Sequence, residues 1–376
     1  MDFSIIENID QLDPADWNRV AGVDNPFTRH EFLVALERHG CVGEHYGWLP
    51  RHLALREQGR LAGAVPLYLK FNSYGELVFD WSWASAYERH GIAYYPKLVS
   101  AIPYTPATGN RLLAGDTETV RRQLVAGVRQ FAEEMKVSSV HWLFPTEQET
   151  GLLEDLGLMR RTGCQFHWEN AGYGEFDDFL GALNARKRKN IRRERQRVKD
   201  AGITLEVRHG GEVTPSEWLI WQHLYESTFE RKSGIPTLSS GFFRELGSTL
   251  PDSVIMVFAR HHGDIVAAAW LIRGKSTLYG RHWGTFARHD SLHFEACYYQ
   301  GIDYCIRNGI DRFEPGAQGE HKVARGFLPT PTWSAHWIAH DGFRAAIARF
   351  LDDETDAMND YMQDLSSQSP YRQIDD

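Results

Sequence analysis

Apolar positions along this chain fall into two periods, and the order in which the periods alternate is repeated. Residues 52–70, HLALREQGRLAGAVPLYLK, read as two short apolar strands around a turn closed by Gly59, and residues 254–274, VIMVFARHHGDIVAAAWLIRG, repeat that pattern around Gly263. Arg56 stands three residues before the first glycine and Arg260 three before the second. Glycine supplies the positive φ that a tight hairpin turn requires. After the first hairpin come a strand-like segment at 98–106, a helix around 117–135 and a strand at 137–145. Leu124, Val128, Phe131 and Met135 give that helix its apolar stripe at 3.6 spacing. The second half answers with a strand at 277–287, a helix at 292–309 and a strand at 310–316, and each half closes on a further strand, 164–168 and 332–338. This order predicts two copies of one α/β fold, each a mixed sheet covered by helices.

Between the copies, residues 175–202 read as one long helix stopped by Gly202, and Asn170–Gly174 as a turn. The expected domains are therefore 1–172, carrying an aromatic insertion at 71–97, and 173–376, opening with a basic helix. The tail SSQSPYRQIDD reads as loose.

A chain of 376 residues, 42% hydrophobic, holds enough apolar material for two cores. Its formal charge of −9 does not favour nucleic acid overall, so a polyanion site has to be a local basic patch. One exists: ARKRKNIRRERQRVK (185–199) carries nine basic residues and one acid, Glu194. On a helix Arg188, Arg192, Arg195 and Lys199 share a face. The segment is either a solvated helix or a contact, through residues such as Lys189 and Arg192, for tRNA, a nucleotide-linked precursor or lipid headgroups. The four cysteines form no CxxC pair, which argues against a zinc ribbon or thioredoxin-type site. His289, His293 and Cys297 are spaced i, i+4, i+8, but His289 is expected to precede the helix, and no metal is expected. There is no GxSxG elbow, P-loop or HExxH. The acidic N-terminus and the lack of an apolar run of membrane-spanning length lead to the expectation of a cytoplasmic protein without stable membrane insertion.

Three segments carry candidate chemistry. GAQGEHKVARG (316–326) follows the last strand of a strand–helix–strand unit, where open α/β sheets bind ligands. There Gly316 and Gly319 permit close backbone approach, Gln318 is a further candidate substrate contact, Lys322 and Arg325 suit phosphate or carboxylate, and Glu320 or His321 suits the removal of a proton from an attacking amine. In YGRHWG (279–284), Arg281 and His282 alternate sides of a strand, and His282 is the preferred base; a core histidine is the other reading. The insertion 71–97 is rich in aromatics, with Asp80, Glu88, His90 and Lys97 among them, and reads as a lid or a structural plug. Trp83, Tyr94 and Lys97 are its candidate substrate contacts, with Tyr299 on the later helix. Asp80, between Phe79 and Trp81, is a further base candidate if its pKa is raised.

These elements resemble acyl-CoA N-acyltransferases of the GNAT superfamily, which hold a pyrophosphate in a loop of pattern Gln/Arg-x-x-Gly-x-Gly/Ala before a helix. IPYTPATGNRLL (102–113) occupies that place, which implies Thr105, Ala107, Thr108, Gly109 and Asn110 as the cofactor loop. Tyr104 stands at the Gln/Arg position and Ala107 at a glycine position. In the second half Arg288 matches, while Ser291 and His293 replace glycines. Over nearly its full length the chain resembles FemAB-like predicted N-acyltransferases of peptidoglycan biosynthesis or recognition. The segments that carry this resemblance include NPFTRHEFLVALE, QFHWEN, YGRHWG and GAQGEHKVARGFLP. The resemblance implies a tandem GNAT-like fold of two lobes with a cleft between them. It also implies transfer of an acyl or aminoacyl group from a thioester or ester to an amine, a cell-wall precursor or small amine. The donor is acyl-CoA or, as in Fem ligases, aminoacyl-tRNA; the alternative outside catalysis is a protein that binds cell-wall fragments or peptides.

Overall fold

The computed structural model describes residues 2–115, 117–231, 234–317 and 319–372. The chain runs through β1 (Asp2–Ile6), α1 (Pro14–Ala21), α2 (His30–Arg38), β2 (Trp48–Pro50), β3 (His52–Glu57), β4 (Arg60–Val65), β5 (Leu67–Lys70), α3 (Trp81–Arg89), β6 (Lys97–Ser100), α4 (Glu118–Glu134), β7 (Ser139–Leu143), α5 (Glu147–Asp155) and β8 (Met159–Glu169). It continues through α6 (Phe176–Ala182), α7 (Ala185–Asp200), β9 (Ile203–His209), α8 (Pro215–Glu230), α9 (Ser240–Thr249), β10 (Val254–His261), β11 (Asp264–Arg273) and β12 (Thr277–Thr285). The last elements are α10 (Leu292–Phe294), α11 (Gln300–Asn308), β13 (Arg312–Glu314), β14 (Leu328–Ile338) and α12 (Asp341–Ser367).

Two compact units result, Met1–Cys164 with Pro331–Tyr361, and Gln165–Thr330 with Met362–Asp376. The first crossing therefore lies inside β8, not at the glycine turn near 172. Strand 332–338, expected to close the second half, pairs antiparallel with β7 in the first unit, Ser334 opposite Leu143 and Ile338 opposite Ser139. Strand 164–168, expected to close the first half, pairs through Trp168 with Phe313 of β13 in the second. The two halves have traded their last strands.

The doubled hairpin is present in atomic detail. In β3–β4 the turn is Gln58-Gly59 and in β10–β11 it is His262-Gly263, with φ of 50° and 81° in the first and 53° and 93° in the second. Two successive positive φ values give the turn whose twist matches its strands. Both hairpins shift register at the arginine, between Leu55 and Arg56 and between Ala259 and Arg260. Each arginine then donates to the turn glycine's carbonyl, at 3.4 Å and 3.3 Å. The copies diverge at Pro66, which has no N–H to continue a ladder. In the first unit the chain therefore leaves the sheet β1-β3-β4 at Val65 and resumes as β5 in the row β2-β5-β6-β7-β14. In the second unit β11 runs unbroken to Arg273 in the row β8-β13-β12-β11-β10-β9.

Other expectations are altered locally. The helix expected over 175–202 is two, because Leu183 turns extended and Asn184 caps α7 by accepting from the Lys187 amide. The strand expected at 98–106 spans Lys97–Ser100, and Met135 falls beyond α4 and is exposed. The insertion contains α3, whose Trp83 and Tyr87 pack with Tyr94, Ile338, Ile347 and Leu351 as a small core. The main core of the first unit lies between α4 and the strands around Trp142, and that of the second around Trp168, Leu278, Tyr299 and Phe313.

Under α3 lies an ionic cluster. Lys97, fully buried, donates to Glu76 (2.8 Å), to Asp80 and to the Ser73 hydroxyl (2.9 Å). Burial works against its charge, but the two carboxylates outweigh it and raise the ammonium pKa. Substituting Lys97→Met leaves two buried carboxylates without a cation, and a loss of about 3–5 kcal/mol is expected. Calorimetric unfolding against wild type measures it; an unchanged melting profile would show that the cluster contributes nothing.

Candidate active site

The second unit's site starts from a proline. β12 and β13 run parallel but pair only over Thr277–Tyr279 and Arg312–Glu314. Pro315 follows and cannot donate, and Gly280 packs directly on it, a Cβ there falling 3.1 Å from the Pro315 Cα. Past that point β12 continues from Gly280 to Thr285 while the other chain turns away through Gly316, whose φ is +98°. The end of a parallel pair that opens in this way is where an α/β sheet offers its ligand site.

Opposite β12, the helix formed by α10 and α11 is interrupted by a π turn over Glu295–Tyr299. Such turns are rare and frequent at functional sites. This one presents Cys297, Tyr298 and Tyr299 toward the glycine-rich segment. The Tyr298 hydroxyl and His321 Nε2 lie 2.9 Å apart, and the Phe294 ring lies beside His321. Gly319 allows this, since a Cβ there would fall 2.5 Å from the imidazole. His321 is exposed, and burial followed by the Arg325 and Lys322 charges lowers its pKa below the ordinary 6.5. Its imidazole is therefore neutral at pH 7 and able to take a proton.

Arg325 and Tyr299 do different work from that expected of them. Arg325 donates to Glu194 at 2.8 Å, to the Tyr299 hydroxyl at 3.1 Å and to the His321 carbonyl at 2.8 Å, and its guanidinium lies over the Phe294 ring. Tyr299 is fully buried and donates to Glu194. The single acid of the basic segment thus ties α7 to the glycine-rich turn, and both predicted substrate contacts are spent inside the protein. Lys322 is the exception. It is 2% exposed, and its Nζ donates to the Gly316 carbonyl at 2.7 Å. No carboxylate pairs with it among the described residues. Burial, only partly opposed by Cys297, pulls its pKa from 10.5 to about 8. At pH 7 this is a charged, dehydrated ammonium with spare donors beside an opened strand pair. Glu320 is exposed next to it, and Gln318 lies outside the described residues.

His282 is not placed as a base. Trp270 pairs with His282 and Leu271 with Gly280, so Arg281 is the extra residue of a β-bulge and simple alternation fails here. The imidazole lies stacked on Trp270 and edge-on to Tyr225, its Nε2 buried without a hydrogen bond. Burial and then Arg281 drive its pKa well below the ordinary value. Arg281 itself sits near Glu314, which supports its charge against burial. Nothing local in the sequence marks the bulge at Arg281, whereas Lys322 was already visible as a cation in the glycine-rich segment.

The remaining candidates divide clearly. In the first unit Asp80, Tyr94 and Lys97 do converge, Tyr94 donating to Asp80 at 2.6 Å, but all three are buried, as is Trp83. Burial raises the Asp80 pKa, and Lys97 with His141 more than reverses this, bringing it to about 2; at neutral pH it is a fixed anion, not a base. The expected cofactor loop is also engaged. The Gly109 amide donates to the Phe144 carbonyl, and the carbonyls of Ala107 and Gly109 accept from the buried Arg111 guanidinium. Thr105 bonds back to Pro103, Asn25 reaches the Thr108 carbonyl, and Asn110 accepts distantly from Thr146. In the second unit Arg288 is exposed in the loop before α10, where Ser291 takes the left-handed φ of +66° usually left to glycine. On α7, Arg195 turns to Glu295 and Arg192 to Asp177, while Lys189, Arg197 and Lys199 are exposed and carry no ion pair among the described residues. No group of metal-ligating side chains occurs among the described residues. Among the described residues no helix is long and apolar enough to cross a membrane.

Comparison with known proteins accords with this architecture. The FemAB-like family model, described as peptidoglycan biosynthesis/recognition, matches residues 8–373. The crystal structure of FemX is similar at 11% identity, covering 93% of this chain and 100% of that one, with a TM-score of 0.57. The C-terminal domain of a putative lysylphosphatidylglycerol synthetase from Agrobacterium fabrum is 12% identical over 90% of this chain and 95% of that one, TM-score 0.54. A conserved protein of unknown function from Bacteroides thetaiotaomicron gives 11%, 89%, 99% and 0.53. At these identities the likeness is one of fold alone. No curated protein matches the sequence.

Lys322 makes a pH prediction that involves no substrate. Between about pH 8 and 10.5 the unfolded chain holds a proton that the folded one has released, so the lysine makes stability rise with pH there. Relative to Lys322→Met, wild type should gain up to ~1.4 kcal/mol per pH unit in that window. Parallel urea-unfolding series at pH 8 to 10 check this; identical slopes would mean that the ammonium is not buried in solution.

Proposed function

We propose that this chain, which belongs to the FemAB-like family, transfers an acyl or aminoacyl group from an activated ester to an amine of a peptidoglycan precursor, at the opened β12–β13 pair. The observation that carries the proposal is Lys322, a dehydrated ammonium without a carboxylate at the end of a parallel strand pair. Attack of an amine on an ester carbonyl places negative charge on the carbonyl oxygen. A preorganised cation in a water-poor site favours that charge far more than it favours the neutral ground state. His321, neutral and hydrogen-bonded to Tyr298, is set to take the proton that the attacking nitrogen must lose. No covalent intermediate on the protein is required: the C–N bond forms, the ester C–O or C–S bond breaks, and the amine proton leaves by way of the imidazole.

For the donor, the exposed cations of α7 favour a polyanion, aminoacyl-tRNA. Coenzyme A thioester is the second reading, favoured by Arg288 beside the left-handed turn at Ser291. Peptide or cell-wall binding without transfer is the outcome if neither donor reacts.

Lys322→Met and His321→Ala should each lower transfer about 100-fold or more, His321→Ala chiefly on the acid limb of the pH–rate profile. Mass spectrometry of a muropeptide acceptor incubated with charged tRNA or acyl-CoA reads the product directly. Modification at the wild-type rate in either variant removes that residue from the mechanism. If aminoacyl-tRNA is the donor, Lys189→Glu/Arg197→Glu should raise its KM ~10-fold or more and leave small-ester turnover unchanged.

A further inference from the structure

The segment between β5 and α3 is folded inside out. Its polar side chains face the protein: Ser73, Glu76 and Asp80 are 3%, 3% and 2% exposed and gather on Lys97. Its apolar side chains face outward: Phe71, Tyr74, Phe79 and Trp81 are 50%, 70%, 51% and 41% exposed, with Leu77 beside them. The orientation is fixed by the backbone as well. The Tyr74 carbonyl accepts from Lys70 and from the Trp48 indole, the Gly75 carbonyl from the Tyr104 amide, and the Phe79 carbonyl from Arg161. These ties prevent the rings from turning inward to bury themselves.

The loop's own outward side chains carry no formal charge, and Arg161, bonded to the Phe79 carbonyl, is paired with Glu354. From Phe71 to Tyr87 the only ionisable acids and bases are Glu76 and Asp80, and both are buried. A partner that fits it is apolar and uncharged where they meet. Trp, Tyr, Phe and Leu at the tip of a rigid loop are the residue types that settle at the boundary between headgroups and acyl chains. A carbohydrate would be held by rings together with many hydrogen-bonding side chains. A protein interface would also carry charged or bonding groups at its rim. This loop offers few of either.

We propose that the loop 71–81 is a membrane-surface contact, which seats its aromatic and Leu77 side chains in the interfacial layer of a lipid bilayer by apolar burial, not by attraction to anionic lipid. The proposal stands apart from the transferase reading, because none of these five side chains belongs to the Lys322 site.

The test is flotation of the full-length protein with vesicles of pure phosphatidylcholine, and of equimolar phosphatidylcholine and phosphatidylglycerol, at low and high salt. Wild type should float with both, with little dependence on salt. Phe79→Ser/Trp81→Ser should lose ~10-fold or more of the affinity, the effect of removing two interfacial rings, while its circular dichroism and melting temperature stay those of wild type. Should that variant fail to fold, Trp81→Phe serves: brominated phosphatidylcholine should quench wild-type fluorescence and quench the variant less. Binding that needs anionic lipid and survives the substitutions overturns the proposal in favour of α7. Failure of wild type to bind any vesicle overturns it. So does a substitution that abolishes self-association or muropeptide binding and leaves vesicle binding unchanged.

Discussion

One carboxylate decides how the charges around the glycine-rich turn are used. Glu194 is the lone acid of a strongly basic segment, and it takes both Arg325 and Tyr299 as donors. That engagement fixes α7 against the turn 316–326 and saturates the larger cation of the pair. Lys322, three residues away from Arg325, is left with a single carbonyl. Two basic residues that look equivalent in the sequence thus have opposite fates. One becomes a structural tie, and the other keeps donors to spare.

The two units solve the same topological problem with different interiors. Each has a hairpin closed by a two-residue turn, a parallel pair and an intervening helix. In the first unit the end of the parallel pair is closed by Arg111, from the loop between β6 and α4, which gathers several backbone carbonyls including that of Leu143, with Glu149 accepting the Arg111 and Leu112 amides. In the second, the corresponding place keeps a lysine and an exposed imidazole. The first unit places its ionic groups under α3, where they are paired and dehydrated. Repetition of a fold has not meant repetition of a site.

The hairpins and the strand–helix–strand order were legible because they rest on local rules: glycine at positive φ, a helical stripe, a basic run. The segment 316–326 was legible as a glycine-rich turn carrying cations for the same reason. What was not legible depended on contacts distant in the chain. The burial of Trp83 and Tyr94 follows from packing against Ile338 of β14 and Leu351 of α12, more than 240 residues on. The misplacement of His282 follows from a bulge that only the pairing with β11 reveals. Asp80 looked like a carboxyl among aromatic rings; the rings point away and Lys97 lies underneath. Identical sequence neighbours permit either arrangement.

The traded strands bear on how the protein is made. The first unit is interrupted at Cys164 and regains β14 only from Pro331 onward. On a ribosome, its row of strands therefore waits, with the edge of β7 unpaired, until nearly the whole chain has been synthesised. The second unit, which also claims the residues after Tyr361, is completed last. Neither half can be released early as a finished domain, so a premature stop anywhere before the final helix leaves both unfinished.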